Sequence, residues 1–223
     1  MKTKSKILNR FANMKITALA ALAVAALAST PALAFDTDKD GDDFQFDLVR
    51  SPAFTALNLL PNAHGRVKIE SVGAVEIMKV KVWGLPANTD FDLFVIQVPK
   101  APFGLAWYQG DIETNKYGEG YGEFIGRFNI ETFIVAPGTA PAPADPFHDP
   151  KRILDASLNP PTNPVQLYHL GLWFNNPEDV VKAGGPGTIT PFNGEHDAGI
   201  QVLNTSEFGD TDGPLKRVTT SGN

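Results

Sequence analysis

The chain has 223 residues, 19 basic against 25 acidic side chains, a formal charge of −6 and no cysteine. That balance argues against nucleic acid and anionic membrane surfaces as partners, because the field of the molecule repels them. It also leaves the fold to hold by packing alone, with neither disulfides nor a cysteine to carry lipid.

Lys2, Lys4, Lys6, Arg10 and Lys15 precede an apolar run over 16–28, and Ala32-Leu33-Ala34 offers a small-residue cleavage site. This pattern predicts a signal peptide over residues 1–34. At about 13 residues, the run falls short of the roughly 20 that cross a bilayer as a helix. The expectation is a secreted or periplasmic protein, cleaved near Ala34 and without membrane insertion. All five charges of the leader are basic, so the remaining 189 residues carry 14 basic and 25 acidic side chains, a net of −11. That length suits one domain, large enough to bury about 70% of its unfolded surface. Cations and neutral ligands are the partners this charge leaves open.

Residues 35–63 read as an acidic N-terminal segment. Within it, Asp36-Thr37-Asp38-Lys39-Asp40-Gly41-Asp42 matches the D-x-D-x-D-G opening of calcium loops. There, alternate aspartates converge on a hard cation because the turn at the glycine folds the segment back. With Asp36, Asp38 and Asp40 as first, third and fifth ligands, the carbonyl of Asp42 is seventh and Asp47 twelfth. The loop resembles EF-hand and dockerin-type sites. It departs from them in having no room for a preceding helix in the cleaved chain, in Asp43 at the apolar eighth position, and in Asp47 where glutamate is usual. It reads either as a weak extracellular Ca2+ site or as a solvated acidic tail.

From Arg66 onward a two-residue period dominates, punctuated by Gly, Pro, Asn and Asp. Strands are predicted at 66–72, 75–83, 91–98, 104–112, 122–128, 132–136, 165–174 and 200–204. In the second, Val75 and Ile77 are out of phase with Met78, Val80 and Val82, which predicts a bulge near Ile77. The third is apolar on both parities, as in a central strand covered on both faces. A short surface helix is predicted at 177–183, capped by Asn176, opened by Pro177 and left through Gly184. Residues 136–164 hold eight prolines and read as a long surface excursion. Frequent turns between short strands predict an all-β fold, an antiparallel two-sheet β-sandwich over 64–210 with a C-terminal tail over 211–223. A closed barrel is the alternative.

Trp107, Tyr108, Asp111, Glu113, Asn115, Tyr117, Tyr121 and Glu123 crowd into 17 residues. Aromatic faces stack on sugar rings while carboxylates and amides bond hydroxyls, so Trp107, Tyr108, Asp111, Tyr117 and Tyr121 are candidate ligand-binding residues. Consecutive strand residues face opposite ways, so one of Trp107 and Tyr108 is expected in the core; Gly110, Gly118, Gly120 and Gly122 read as hairpin turns. His64, His148, His169 and His196 are scattered singly. A zinc or copper site would require His169 and His196 to meet with a carboxylate, and a hydrogen-bonded histidine at a sheet edge is the plainer reading of His169. No G-x-S-x-G elbow is present, and acidic pairs such as Asp111 with Glu113 are common on so acidic a surface.

The segments GLPANTDFDLFVIQVPKAPFGLAWYQGDIETN (84–115), YHLGLWFNN (168–176) and TPFNGEHDAGIQVLNT (190–205) together resemble an uncharacterised group of exported bacterial proteins. The resemblance implies a secreted β-sandwich and no particular activity. The functional expectation is a secreted, non-catalytic protein that binds an extracellular ligand such as a glycan or surface polymer, with Ca2+ at the N-terminal loop. The alternatives are a metal-dependent extracellular enzyme using His169 and His196, and a structural component of the envelope or matrix.

Overall fold

Period-two alternation resolves into a single curled sheet, and the strand that makes it continuous lies ahead of the predicted domain. The computed structural model describes residues 44–137, 162–192 and 196–219, all within one compact unit. The predicted leader, the aspartates at 36–42, His148 and most of the proline-rich excursion lie outside the described residues.

In chain order the strands are β1 (Phe44–Arg50), β2 (His64–Val72), β3 (Val75–Trp83), β4 (Asp90–Ile96), β5 (Ala106–Glu113), β6 (Gly120–Gly126), β7 (Phe133–Pro137), β8 (Thr162–Gln166), β9 (His169–Phe174), β10 (Thr190–Pro191), β11 (Asp197–Ala198) and β12 (Gln201–Asn204). Eight of them form one antiparallel sheet in the order β5-β4-β9-β12-β1-β2-β3-β6, while β7–β8 and β10–β11 are separate two-stranded ribbons. The all-β antiparallel class is therefore as expected. In place of two stacked sheets, however, one sheet curls on itself toward the barrel alternative. Its first corner is β1, which pairs with β2 through Phe44 to Leu48 and with β12 through Val49 and Arg50. Its second is the turn from β5 to β6, where Thr114 bridges Gly120 and brings the outermost strands together.

Inward-facing Leu48, Val67, Ile69, Met78, Val80, Val82, Leu93, Val95, Leu170 and Leu172 fill the interior. Each such side chain contributes about 1.5–3 kcal/mol on burial. The 3₁₀ turn Pro214–Arg217 sets Leu215 and then Val218 into the same core, so the segment expected as a tail helps to seal it. Helix α1 (Pro52–Ala56) does the same with Phe54, whose ring stacks 5.7 Å from that of Phe174. Ser51 caps α1 and also donates to the Gln201 carbonyl at 2.7 Å. Helix α2 (Pro177–Lys182) has the predicted cap, Asn176 Oδ1 accepting from the amide of Glu178. Among the described residues, no helix is long and apolar enough to cross a membrane.

Two local expectations are corrected. The pairing of β2 with β3 runs without a bulge at Ile77, which faces outward opposite Glu70. The inward position falls to Glu76, 1% exposed, whose carboxylate accepts from the amide of Phe128 at 2.9 Å and from Asn129 Nδ2 at 2.7 Å. Those bonds offset the cost of burying a polar group. Gly120 and Gly122 also lie within β6 rather than in turns.

Candidate functional site

The sheet face turned away from the core carries the site, and a bulge in β5 composes it. Along β4, Phe91, Leu93 and Val95 point into the core, so Asp92, Phe94 and Ile96 point out. Pairing of β4 with β5 slips between Leu93 and Phe94: Phe94 stands opposite Tyr108 and Leu93 opposite Gly110, leaving Gln109 as an extra residue. Tyr108 and Asp111, three apart, would occupy opposite faces of a regular strand. With one inserted residue they share the outer face, and the tyrosine hydroxyl donates to Asp111 Oδ1 at 2.6 Å. Gly110 takes φ +149°, and a Cβ there would fall 2.7 Å from the Phe124 ring.

One register row crosses the sheet as Asp111, Asp92, Trp173 and Gln201. Gly171 leaves room for the Trp173 ring to fold back along β9, since a Cβ there would lie 2.4 Å from the indole and 2.5 Å from Gln201 Nε2. The β10–β11 ribbon sets Phe192 edge-on to Phe94 at 5.6 Å and to Tyr108 at 5.1 Å, with His196 against it at 4.9 Å. Phe94, Phe103, Trp173, Thr190, Phe192 and Ala198 line a cavity of about 210 Å³ beside this cluster.

Two polar side chains of the row are buried. Asp92 is fully buried, its protonated carboxyl donating to the carboxylate of Asp111 across the strand pair, while Gln201 Nε2 is unbonded. Burial foremost, then the charge of Asp111, the hydrogen bond to it and the charge of Asp90, pushes the Asp92 carboxyl up to about 7. Burial and the bond to Asp111 also raise Tyr108.

Of the candidate residues, Tyr108 and Asp111 belong to this face. Trp107, on the opposite face of β5, packs against the core, donates to Gln109 Oε1 at 3.0 Å, and borders a separate groove of about 660 Å³ with Arg127, Ile130 and Phe133. Tyr117 is exposed on the turn after β5 beneath Lys116, and Tyr121 bonds Glu123 on β6. Asp47 lies in β1 with its carboxylate on Arg66 at 2.9 Å and near His64 at 3.6 Å.

The described histidines do not converge. His169 is buried in a central strand rather than at an edge, its Nδ1 accepting from Thr205 Oγ1 at 2.9 Å and its Nε2 donating to the Asp210 carbonyl at 3.1 Å. Burial holds it below the ordinary histidine value. His196 donates to Asn175 Oδ1 at 2.8 Å. Asn175 lies six residues beyond His169 along β9, roughly 20 Å at the rise of a strand. Among the described residues, no three His, Cys, Asp or Glu side chains group to hold a metal ion.

Asp92, Phe94, Trp173, Phe192 and Gln201 are the site residues that sequence reasoning missed. The available signal was Asp92 itself, an acid inside the apolar run Phe91 to Ile96. Comparison with known proteins finds no matching family model, no similar curated protein and no similar solved structure.

Proposed function

We propose that this is an exported, non-catalytic protein that binds an extracellular glycan on the outer face of β5, β4, β9 and β12. The observation that supports it is an aromatic-walled cavity on the face where Gln201 Nε2 is buried without a hydrogen-bond partner. An unpaired buried polar group is costly, and a hydroxyl of a bound sugar would satisfy it while its ring stacks on the aromatic walls. Export rests on the basic, apolar and small-residue series over 1–34. The two-sheet sandwich remains a description of the fold only in the sense that the corners at β1 and at the β5–β6 turn divide the sheet into facing halves. Calcium binding rests on Asp36, Asp38, Asp40 and Asp42, because Asp47 is engaged by Arg66.

Retention of the mature protein on immobilised polysaccharides tests the reading. Phe192→Ala should release it, while Tyr121→Ala, on another strand, should leave retention unchanged. Equal behaviour of both variants, or no retention of the parent protein on any glycan, would sink it. Calorimetry with calcium on the parent chain and on Asp38→Ala/Asp40→Ala tests the loop; identical heats would reduce the aspartates to a tail.

A further inference from the structure

His169 is a buried titratable group that the glycan reading leaves unused. It shares strand parity with Gly171 and Trp173, so its side chain points away from the core, yet it is fully buried. What covers it is the segment from Thr205 to Gly213. Nδ1 accepts from Thr205 Oγ1 at 2.9 Å and Nε2 donates to the Asp210 carbonyl at 3.1 Å, and a Cβ at Gly213 would fall 2.9 Å from the ring. The segment runs on into the 3₁₀ turn, where the amide of Leu215 donates to the Tyr168 carbonyl at 3.2 Å and Leu215 and Val218 enter the core. The ring is therefore a clasp between β9 and the stretch of chain that seals the core.

The clasp suits the neutral ring. A second proton turns Nδ1 into a donor toward Thr205 Oγ1, which already accepts from the amide of Leu170 at 3.2 Å. The hydroxyl must then turn its own hydrogen to the Leu170 carbonyl at 3.4 Å, a long and weak bond. Little around the ring offsets the added charge. Strand β4 places Ile96 opposite it, the turn after β4 brings Lys100, and the end of β12 brings uncharged Asn204 and Thr205. The covering segment brings Asp210, exposed and 3.8 Å from Lys100, while Asp212 is held by Lys216 and Arg217 and Glu207 is exposed. Burial of a charge without a close partner is costly.

We propose that His169 is an acid-sensitive latch: when it takes a second proton, residues 206–219 lift from β9 and uncover the end of the core that Leu215 and Val218 close. Neither His169 nor this segment lines the cavity, so the latch stands independently of the glycan reading. Opening returns the ring to water, where its ordinary value is 6.5. One proton then favours opening at pH 5.0 over opening at pH 7.5 by at most about 30-fold, the ratio that about 1.5 pH units allow.

Amide hydrogen exchange of the mature protein at pH 5.0 and pH 7.5, corrected for the intrinsic pH dependence of exchange, tests this. The amides of Phe208, Leu215 and Val218 should exchange about 10–30-fold faster at pH 5.0, while those of Val67 and Val80 in β2 and β3 should not accelerate with them. His169→Gln, checked for folding by its melting curve, should abolish the acid effect. Unchanged protection of the segment at pH 5.0, equal acceleration in β2 and β3, or an acid effect that persists in His169→Gln would overturn the latch. Imidazole NMR of the parent chain keeps the test decisive if the variant does not fold. His169 should gain its proton over the pH range in which the segment opens, with His64 and His196 as references. A ring that protonates while the segment stays protected, or a segment that opens around a neutral ring, would overturn it equally.

Discussion

A carboxyl group that keeps its proton to about pH 7 makes the folded state sensitive to alkali. Below 3.8, the ordinary value, Asp92 is protonated in folded and unfolded chains alike. As the pH rises from there to about 7, the unfolded chain has released the proton and the folded one still binds it, so stability falls. The gap corresponds to at most about 4 kcal/mol, lost by the time the pH passes 7. His169 works in the opposite sense: its folded value is lowered, so its contribution is present above its ordinary 6.5 and lost as the pH falls through that range. Urea unfolding of Asp92→Asn at pH 4.5 and pH 8 should show a gain over the parent at pH 8 and a smaller difference between the two conditions. An unchanged difference would mean that Asp92 is ionised in the folded protein. Such residue roles were only partly legible in the sequence. Glu76 inside β3 resembles a surface glutamate by composition, and only the distant amides of Phe128 and Asn129 make its burial tolerable. Asp92 was visible as an acid in an apolar run, yet its meaning depends on Asp111, which reaches it across a strand pair.

At the scale of elements, alternation located most of the sheet, and β3 falls where it was predicted, over Val75–Trp83. Helix α2 was equally readable because its cap, its proline and its acidic first turn are local signals. Strand β1 was hidden because the aspartates before it mark the region as solvated, while Phe46 and Leu48 become core only through β2 and β12. The bulge in β5 could not be read from sequence at all, since an inserted residue is defined by the partner strand. It is nevertheless the device that puts Tyr108 beside Asp111, and it should be sensitive at Gly110. Gly110→Ala combines an unfavourable φ with contact on Phe124, so a loss of about 1–3 kcal/mol is expected, measured by chemical denaturation. The Tyr108 titration, followed by ultraviolet absorbance, should move back toward that of an unbonded tyrosine. A variant with parental stability and an unchanged tyrosine titration would show that the bulge tolerates a side chain there.

The whole molecule is stabilised by a core that draws on both ends of the described chain. Phe46 and Leu48 enter it from β1, and Leu215 and Val218 from the 3₁₀ turn and its exit. Leu215→Ala should cost about 2–5 kcal/mol, the range for emptying a fully buried leucine site, and lower the melting temperature accordingly. A loss under about 0.5 kcal/mol would mean the segment lies on the core without sealing it. Strand β1 has a consequence for the order of assembly. Its partner on one side, β2, follows within a few tens of residues, but its partner on the other, β12, is about 150 residues away. A chain emerging from its N-terminal end therefore carries its first strand with one edge open until nearly all the rest has appeared. Such long-range closure is slow, and an open strand edge invites pairing with other chains in the meantime. Nascent molecules of this fold thus have a prolonged interval in which they need shielding from one another.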